Sequence, residues 1–420
     1  MQEIVVTGGV RLSGSVSVGG AKNAVLKHMV ATLLAPGRHQ LYNVPRILDV
    51  ECMGRVLERL GATCTFDDHT LVVEAPQDPL PEAPIDLVRS MRASIVVLGP
   101  LLTRCGVARV ALPGGDDLGA RPIDWHVEGL RAMGASFQLE HGVLEGRAPA
   151  GLRGAEIHLD FPSVGATENL LLAAVLARGE TVISNAAREP ELEDLAGFLS
   201  KMGARISGAG SSTIRVEGVD RLEPAVHDVV PDRLEAGTFA VAAAISGGEV
   251  RVTDCLPAHL RMELRKLAEA GCDVEEGEDW VAVGGPERPR AVDFATLPYP
   301  GFATDLQSQM VALLSLASGT SVMTENVYEA RFSYIGELRR MGADISTEWQ
   351  HAVVRGVKRL SGCPVMALDI RAGASLVLAG LRAEGQTTVA DARHIDRGYD
   401  DFVGKLQSLK AEVERRPIRA

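Results

Sequence analysis

A repeated sequence marker constrains the fold of this chain more strongly than any other feature. The marker is the end of an amphipathic helix followed by a strand, as in LERLGATCTF, and it recurs about every 70 residues. Five of the copies place a glycine where the helix would stop. The six copies begin at Leu57, Leu130, Leu199, Leu264, Leu338 and Leu406. This spacing predicts that the chain consists of six copies of one structural unit.

A second marker runs in step with the first. It is a helix of small residues, followed by glycine and a β-rich segment. These helices are apolar on nearly every face, which predicts that they are buried. They begin at Lys22, Arg92, Ala166, Arg233, Asp305 and Arg371. Each unit is therefore predicted to hold a buried helix, a strand, an amphipathic helix and a strand pair.

The two ends of the chain complement each other. The last unit ends at 412–416 without its closing strands, whereas a hairpin-like segment over 4–20 precedes the first helix. The simplest arrangement is that Met1–Val18 completes the sixth unit. Three units in each domain then predict one domain over 22–229 and a discontinuous second domain over 1–21 plus 230–420. The alternative is a history of duplication without closed symmetry. The fold class is α/β (α+β), in agreement with an aromatic content of only 4%.

Charge and hydropathy exclude several classes of function. The net charge of −12 argues against a general nucleic-acid binder. Gly, Pro or charged residues interrupt the apolar runs well short of a membrane span, and the N-terminus lacks the pattern of a signal peptide. Six cysteines are scattered without metal-ligand spacing, as in small core residues of a reducing compartment. We therefore expect a cytoplasmic protein with no metal and no membrane or nucleic-acid partner.

Polar residues concentrate at the starts of the buried helices. The free N–H groups at a helix N-terminus favour anions, so a cation there is unfavourable unless an anion also binds. Basic helix starts in several units therefore indicate phosphate or carboxylate ligands. Taken singly, Asp305 has the alternative of a capping acid, and Arg92 that of a surface charge. The residues concerned are Lys22, Arg92, Arg233, Asp305 and Arg371.

The segment Pro113–His126, PGGDDLGARPIDWH, is the second candidate for chemistry. Its glycines predict a loop rather than a helix, and Pro122 restricts the conformation of Arg121. A loop that places an acid beside an arginine is a reasonable catalytic element. A solvated acidic turn is the alternative.

The motifs of this chain resemble those of the UDP-N-acetylglucosamine 1-carboxyvinyltransferase family, the enolpyruvyl transferases that open bacterial peptidoglycan synthesis. The resemblance runs from end to end with the motifs in the same order. It implies two domains of three βαβαββ-type units, each an inside-out α/β barrel with helices inside and sheets outside, and an active site in the cleft between the domains. The motifs are GGAKNAVL, PGGDDLGARPIDWH, PSVGATENLL, ATDLQSQ, ENVYEARF, LDIRAGASLVLAG and HIDRGYD.

The same resemblance implies the substrates and a set of site residues. The substrates are phosphoenolpyruvate and UDP-N-acetylglucosamine, and neither a cofactor nor an obligatory protein partner is expected. Asp305 would face the sugar 3′-hydroxyl, and Asn23 would orient the sugar. His126 and His394 are interpreted as positioning residues. The remaining contacts are Lys22 for phosphoenolpyruvate; Arg92, Arg121, Pro122, Ile123, Asp124 and Trp125 for the nucleotide sugar or phosphate; Ser163, Val164 and Gly165 for the diphosphate and uridine; Val327 for the nucleotide pocket; and Arg331, Arg371 and Arg397 for the enolpyruvate carboxylate and phosphate.

One position departs from the common pattern of the family. Most members carry cysteine after PGG, whereas this chain carries Asp116, with Asp117 as the neighbouring candidate. A carboxylate is a much poorer nucleophile than a thiolate, so we expect resistance to the epoxide antibiotic fosfomycin.

The resemblance implies addition followed by elimination, with Asp116 as the acid that protonates C3 and Asp305 as the base. Lys22 and Arg397, with Arg121 and Arg371, would neutralise charge. An aspartate that acts as an acid near neutral pH needs its pKa raised by roughly three units, or about 4 kcal/mol. A transferase acting on 3-phosphoshikimate and a non-catalytic sensor of nucleotide sugars are the alternatives.

Overall fold

The computed structural model describes residues 2–116, 119 and 122–417, which divide into two compact units. The N unit comprises residues 20–115 and 121–230, and the C unit comprises residues 1–19, 116–120 and 231–420. Asp116 and Gly119 group with the C unit, whereas the sequence-based division assigned both to the first domain. The chain begins with two strands of the C unit, β1 (Gln2–Thr7) and β2 (Ser13–Ser17).

The N unit contains three described sheets, with strand orders β13-β3-β5-β4, β11-β12-β10-β9 and β6-β8-β7. Its helices are α1 (Lys22–Ala31), α2 (Leu48–Arg59), α3 (Ile85–Ser90), α4 (Leu98–Cys105), α5 (Asp124–Ala132), α6 (Val164–Ala174) and α7 (Pro190–Lys201). Its strands are β3 (Gly37–Tyr42), β4 (Thr63–Asp67), β5 (Thr70–Ala75), β6 (Val107–Ala111), β7 (Ser136–Glu140), β8 (Val143–Arg147), β9 (Glu156–His158), β10 (Glu180–Ser184), β11 (Arg205–Ser207), β12 (Thr213–Glu217) and β13 (Val226–Asp228).

The C unit likewise contains three described sheets, with strand orders β21-β22-β1-β23, β15-β16-β14-β2 and β17-β18-β20-β19. Its helices are α8 (Arg233–Ser246), α9 (Arg261–Glu269), α10 (Gln307–Leu314), α11 (Ser333–Arg340), α12 (Ile370–Arg382), α13 (Arg393–Asp396) and α14 (Phe402–Ser408). Its remaining strands are β14 (Glu249–Thr253), β15 (Asp273–Glu276), β16 (Trp280–Gly284), β17 (Phe294–Ala295), β18 (Thr320–Thr324), β19 (Asp344–Glu348), β20 (His351–Arg355), β21 (Pro364–Met366), β22 (Gln386–Ala390) and β23 (Glu412–Pro417).

Buried helices form the core of each unit, as their apolar composition predicts. Every residue of α8 and α10 is buried, and these two helices pack against each other and against α12. The strands that follow alternate in burial: Val250 and Val252 of β14 are buried, whereas Glu249 and Arg251 are exposed. Such alternation places one face of the sheet on the helices and the other in solvent. The helices therefore lie inside and the sheets outside in this unit.

The repeated glycine has the backbone conformation that the sequence marker requires. In five copies the residue after the amphipathic helix has φ between 95° and 106°, a region that side chains rarely adopt. The sixth copy places Lys410 there, with φ of 69°. The backbone after the helix therefore has a positive φ even in the copy that lacks glycine. The five glycines are Gly61, Gly134, Gly203, Gly271 and Gly342.

The N-terminal strands enter two different sheets. β1 lies between β22 and β23, antiparallel to both, so that Ile4 faces Val389 on one side and Arg415 on the other. β1 thus completes the sixth unit, as predicted. β2 instead pairs in parallel with β14. The predicted hairpin over 4–20 is therefore wrong, because both edges of β1 are already occupied by other strands.

Membrane insertion through a helix finds no support in the described part of the chain. None of its helices combines the length and the apolar character that crossing a bilayer requires.

Candidate active site

The structure places the predicted polar residues at the starts of the buried helices. Lys22 is the first residue of α1, Arg233 the first of α8 and Arg371 the second of α12. Arg92 opens a 3₁₀ turn that leads into α4, and Asp305 lies in the 3₁₀ turn that leads into α10. The sequence predicted that these five residues lie at or near the starts of buried helices, and the structure confirms this position for all five.

In the C unit, two buried guanidinium groups hold the carboxylate of Asp305. Nη1 of Arg331 lies 2.7 Å from Oδ1 of Asp305, and Nε of Arg371 lies 3.3 Å from Oδ2. The side chains of the two arginines are only 5% and 3% exposed, whereas that of Asp305 is 26% exposed. Charged hydrogen bonds in such surroundings are strong and keep the carboxylate oriented. This cluster unites three of the predicted site residues.

Arg371 has further hydrogen-bonding capacity. Its guanidinium lies 5.0 Å from the ring centre of Tyr399. Its Nη1 is buried and has no hydrogen-bond partner among the described residues. A buried N–H without an acceptor is costly, so this group can bind an incoming anion with little loss of existing contacts.

Glu325 organises the segment beside this cluster. The side chain is 1% exposed. Its oxygens accept hydrogen bonds from Thr296 Oγ1 (2.7 Å), Thr304 Oγ1 (2.9 Å), Gln307 Nε2 (3.2 Å), Val327 N (2.7 Å) and Tyr328 N (2.9 Å). Thr304 in turn accepts from Nη1 of Arg331 at 3.1 Å. Glu325 therefore fixes the backbone at Val327 and, through Thr304, the position of Arg331.

Asp116 and Arg397 form an ion pair. The bond joins Oδ1 of Asp116 to Nη1 of Arg397, and the two side chains are 14% and 16% exposed. The structure thus brings two of the four predicted catalytic residues together.

In the N unit, Lys22 pairs with a different acid. Its Nζ lies 3.0 Å from Oδ2 of Asp49, a buried residue in the first turn of α2. Asn23 follows Lys22 on α1, and its backbone oxygen accepts from Nζ of Lys27 at 2.6 Å. The cation at the start of α1 is therefore held by a carboxylate.

Arg92 contacts the segment that carries the predicted loop residues. Its Nη2 donates to the backbone oxygen of Pro122 at 3.1 Å. Asp117 and Arg121, both of which were predicted to matter, lie outside the described residues.

The starts of α5 and α6 adjoin each other. The ring of Trp125 stacks on that of Phe161, with centroids 5.9 Å apart. The hydroxyl of Ser163 caps α6 by accepting from the backbone N–H of Ala166 at 3.3 Å. Gly165 lies next to His126, since a Cβ on Gly165 would be 3.4 Å from the imidazole. The residues expected at the diphosphate and the uridine are thus adjacent to those expected at the sugar, with Val164 as the first residue of α6.

The loop prediction is wrong at its C-terminal end. Asp124, Trp125 and His126 belong to the first turn of α5, and Ile123 is the residue that precedes the helix. The reason is that Val127 and Leu130, which are buried three positions apart, supply a helical apolar face after Pro122.

His126 is buried and neutral. Burial, together with the positive charge of Arg92, lowers its pKa to about 3. Its Nδ1 lies 2.9 Å from the side-chain nitrogen of Asn169. His394 has its Nε2 3.4 Å from Oδ2 of Asp391. A role for His126 in positioning α5 against α6 agrees with these contacts.

Reasoning from the sequence missed three residues that shape these clusters. Glu325 lies in the motif ENVYEARF but was not selected from it. Asp49 and Tyr399 became relevant only through contacts with Lys22 and Arg371. Asp49 is recognised by its burial beside Lys22, which the structure shows and the sequence does not.

Comparisons with known proteins agree with the fold. The model of the EPSP synthase (3-phosphoshikimate 1-carboxyvinyltransferase) family matches residues 6–406. Among solved structures, the enolpyruvyl transferase NikO from Streptomyces tendae has a TM-score of 0.88 and 26% identity, with 99% of each chain covered. EPSP synthase from Acinetobacter baumannii has a TM-score of 0.73 at 18% identity and shares the fold. The chain therefore belongs to the enolpyruvyl transferase family.

Within that family, the chain is similar along its whole length to one group of curated proteins. The UDP-N-acetylglucosamine 1-carboxyvinyltransferase of Mycobacterium tuberculosis (strain CDC 1551 / Oshkosh) is 55% identical over 414 residues, covering 99% of both chains. The protein of the same name from Trichlorobacter lovleyi is 50% identical over 415 residues, again covering 99% of both.

Proposed function

We propose that this chain transfers the enolpyruvyl group from phosphoenolpyruvate to the 3′-hydroxyl of UDP-N-acetylglucosamine and releases phosphate. This is the first committed step of peptidoglycan synthesis. The observation that carries the proposal is the carboxylate of Asp305, held by Arg331 at 2.7 Å and by Arg371 at 3.3 Å in front of a buried helix. The full-length similarity to enzymes named for this reaction supports it.

The reaction consists of an addition and an elimination. In the addition, C3 of phosphoenolpyruvate gains a proton while the sugar oxygen, losing its own proton, bonds to C2. The product is a tetrahedral adduct that carries a methyl group, the phosphate and the carboxylate. In the elimination, the methyl group loses a proton as the C–O bond to phosphate breaks. The double bond is restored in the enol ether, and no electrons are gained or lost overall.

Asp305 is the base that accepts the hydroxyl proton in the addition or the methyl proton in the elimination. The two guanidinium groups keep it ionised and aimed, although they also make the carboxylate less basic. The phosphate and carboxylate of phosphoenolpyruvate offset this second effect when they bind near the guanidinium groups. The unpartnered Nη1 of Arg371 is a donor available for such an anion.

Asp116 is the acid that protonates C3. In the structure its carboxylate is paired with Arg397. An anionic group of phosphoenolpyruvate that takes over Arg397 would leave Asp116 without its cation and next to a negative charge. Both changes favour protonation, so binding of the substrate itself prepares the proton donor.

The remaining cations neutralise charge as it develops on the phosphate. Lys22 leaves Asp49 to contact phosphoenolpyruvate, and Arg397 stays on the substrate anion through the elimination. Arg121 is assigned the same role by resemblance alone, because it lies outside the described residues.

The nucleotide sugar binds at the helix starts of the N unit. The N-terminus of α6, over Ser163, Val164 and Gly165, offers backbone N–H groups to the diphosphate. Trp125, stacked on Phe161, offers an aromatic surface to the substrate. Further contacts are assigned to Asn23, Arg92, Pro122, Ile123, Asp124 and Val327.

The decisive experiment is an assay of phosphate release by the purified protein. With phosphoenolpyruvate and UDP-N-acetylglucosamine, we expect phosphate and a nucleotide sugar heavier by one enolpyruvyl group. With shikimate 3-phosphate as the acceptor, we expect no phosphate above background. The opposite preference would establish the shikimate enzyme, and binding of the nucleotide sugar without phosphate release would establish a sensor.

Resistance to fosfomycin follows from the identity of residue 116. A thiolate can open the epoxide, whereas the carboxylate of Asp116 is a much weaker nucleophile. We expect the parent enzyme to keep its activity after incubation with the drug and Asp116→Cys to lose activity with time. Irreversible inactivation of the parent enzyme would contradict this proposal.

We place the reaction in the cytoplasm. All six cysteines are free thiols, as expected for a protein in a reducing compartment.

A further inference from the structure

The interior of the N unit contains a cluster of metal-ligating side chains away from the residues assigned to substrate. It consists of His28 on α1, Asp194 on α7 and His227 on β13, here called the His–Asp–His cluster. Nε2 of His227 lies 2.8 Å from Oδ1 of Asp194, and Nε2 of His28 lies 3.3 Å from Oδ2. The spacing of these residues along the chain carries no metal signature, because three separate elements bring them together.

His28 is the unusual member of this cluster. Its side chain is fully buried, and neither ring nitrogen has a hydrogen-bond partner among the described residues. The approach to Asp194 has a suitable distance but lacks the alignment of a hydrogen bond. The other neighbours are aromatic: the ring of Phe198 at 5.4 Å and that of His227 at 4.8 Å. Buried polar atoms without partners are rare in folded proteins and point to an ion or a water between the groups.

We propose that the His–Asp–His cluster binds one zinc ion through Nε2 of His28, the carboxylate of Asp194 and Nε2 of His227. Two imidazoles and one carboxylate form a ligand set that zinc prefers. The three ligand atoms lie within 4.8 Å of one another. In a tetrahedral zinc site with metal–ligand distances of about 2.0–2.1 Å, the ligand atoms lie roughly 3.3 Å apart. Nε2 of His28 and Oδ2 of Asp194 have this separation.

Access also suits a metal. The side chain of Asp194 is 13% exposed, which leaves a way in for the ion and a place for water as the fourth ligand.

Lys201 opposes metal binding. Its Nζ lies 3.1 Å from Nδ1 of His227, and an ammonium group can only donate. Nδ1 is therefore the acceptor, and Nε2 carries the proton that faces Asp194. Zinc binding requires this proton to move from Nε2 to Nδ1. It also requires the exposed side chain of Lys201 to turn into solvent. Removal of the lysine should therefore strengthen zinc binding.

The test is a zinc titration of the full-length protein after removal of metals with a chelator. In competition with a chromogenic chelator, we expect the parent protein to take up one zinc ion per chain. Cobalt(II) in its place should give the visible absorption of a tetrahedral complex. No stoichiometric uptake by the parent protein would overturn the proposal. This experiment does not depend on transferase activity, so its failure would leave the proposed function untouched.

Variants separate the proposed site from adventitious binding. His28→Leu should bind zinc at least about 100-fold more weakly, Lys201→Met should bind more tightly, and His158→Gln, at an exposed position, should bind like the parent. His28→Leu removes ring nitrogens that lack a hydrogen bond, so the metal-free variant should still fold, which its melting curve reports. Zinc should then raise the melting temperature of the parent but not of His28→Leu. An equal rise in both proteins would mean binding elsewhere and would also overturn the proposal.

Discussion

The C unit and the N unit hold their functional charges in different ways. In the C unit, Arg331 and Arg371 are almost completely buried and share one carboxylate, and Glu325 fixes the segment beside them through five hydrogen bonds. In the N unit, Lys22 pairs with Asp49, and Arg92, which is half-buried, donates to a backbone oxygen. The first arrangement is rigid before substrate arrives, whereas the second can exchange its partners.

This difference assigns different tasks to the two units. Charge stabilisation in a transition state is effective when the groups are already in place, because they need not reorganise during the reaction. Capture of a large, flexible nucleotide requires contacts that form on binding. We therefore expect substitutions in the C unit to lower kcat and substitutions at the nucleotide-sugar contacts of the N unit to raise KM for the nucleotide sugar.

Asp305→Asn should have the largest effect. It keeps the shape of the side chain but removes the base and leaves two buried guanidinium groups without their anion. Loss of a general base alone costs about 10²- to 10⁴-fold, so we expect kcat to fall by about 10³-fold or more. Steady-state kinetics, with Asp279→Asn on the exposed surface as the control, measure this. A variant with near-normal kcat would refute the assignment of the base.

Arg397→Gln should rank second. It removes the cation that pairs with Asp116 and that we assign to the anions of phosphoenolpyruvate. We expect kcat/KM for phosphoenolpyruvate to fall by roughly 10²- to 10³-fold, with partial recovery in Arg397→Lys. Arg393→Gln, at an exposed position in the preceding short helix, is the matched control. Equal losses in both glutamine variants would point to local unfolding instead.

Glu325→Gln should have an intermediate effect. The amide oxygen can still accept from the backbone at Val327, but the amide nitrogen would face the donor of Gln307. The segment that positions Arg331 should shift, lowering kcat by about 10- to 100-fold with little change in KM for the nucleotide sugar. Glu348→Gln, which alters an exposed acid, should behave like the parent. A rise in that KM without loss of kcat would contradict the role given to Glu325.

Ser163→Ala should act on binding alone. It removes the cap of α6, at a cost of about 1 kcal/mol, and loosens the N–H groups offered to the diphosphate. We expect KM for the nucleotide sugar to rise several-fold at unchanged kcat, with recovery in Ser163→Thr. Ser212→Ala, on an exposed turn, controls for loss of a hydroxyl. A fall in kcat of the size expected for Asp305→Asn would remove the contrast between the two units.

The last prediction concerns the dependence of stability on pH. The pKa of His126 is lowered from 6.5 to about 3 in the folded protein, so between these values only the unfolded chain binds the proton. The free energy of unfolding therefore falls as the pH decreases from about 6.5 towards 3, by about 1.4 kcal/mol per pH unit for one such group. His126→Gln should show a slope shallower by about one proton in urea unfolding, whereas His158→Gln should match the parent. Identical slopes in all three proteins would mean that His126 is not held neutral.

The repeat could be predicted from the sequence because it is periodic, and every copy reinforces the others. The helix stops at Gly61 and its equivalents, and the placement of Lys22 and Arg371 at helix starts, follow from local chemistry. The partners of these residues do not follow from it. Asp116 and Arg397 lie 281 positions apart, and no local pattern indicates that they meet.

The errors have equally specific causes. The sequence favoured a hairpin over 4–20 because two short strands follow each other there. In the structure, β22 and β23 occupy both edges of β1, so β1 cannot pair with β2. The importance of Glu325 was not predictable, because it depends on five donors from different parts of the chain converging on one carboxylate.

The central claim is that C3 of phosphoenolpyruvate gains a proton in an addition and loses one in an elimination, with Asp116 as the donor. The most direct measurement is mass spectrometry of the product formed in heavy water. The account predicts solvent deuterium in the methylene group of the enol ether, because C3 becomes a methyl group before it loses a proton. A product formed at full rate with no deuterium on that carbon would contradict it.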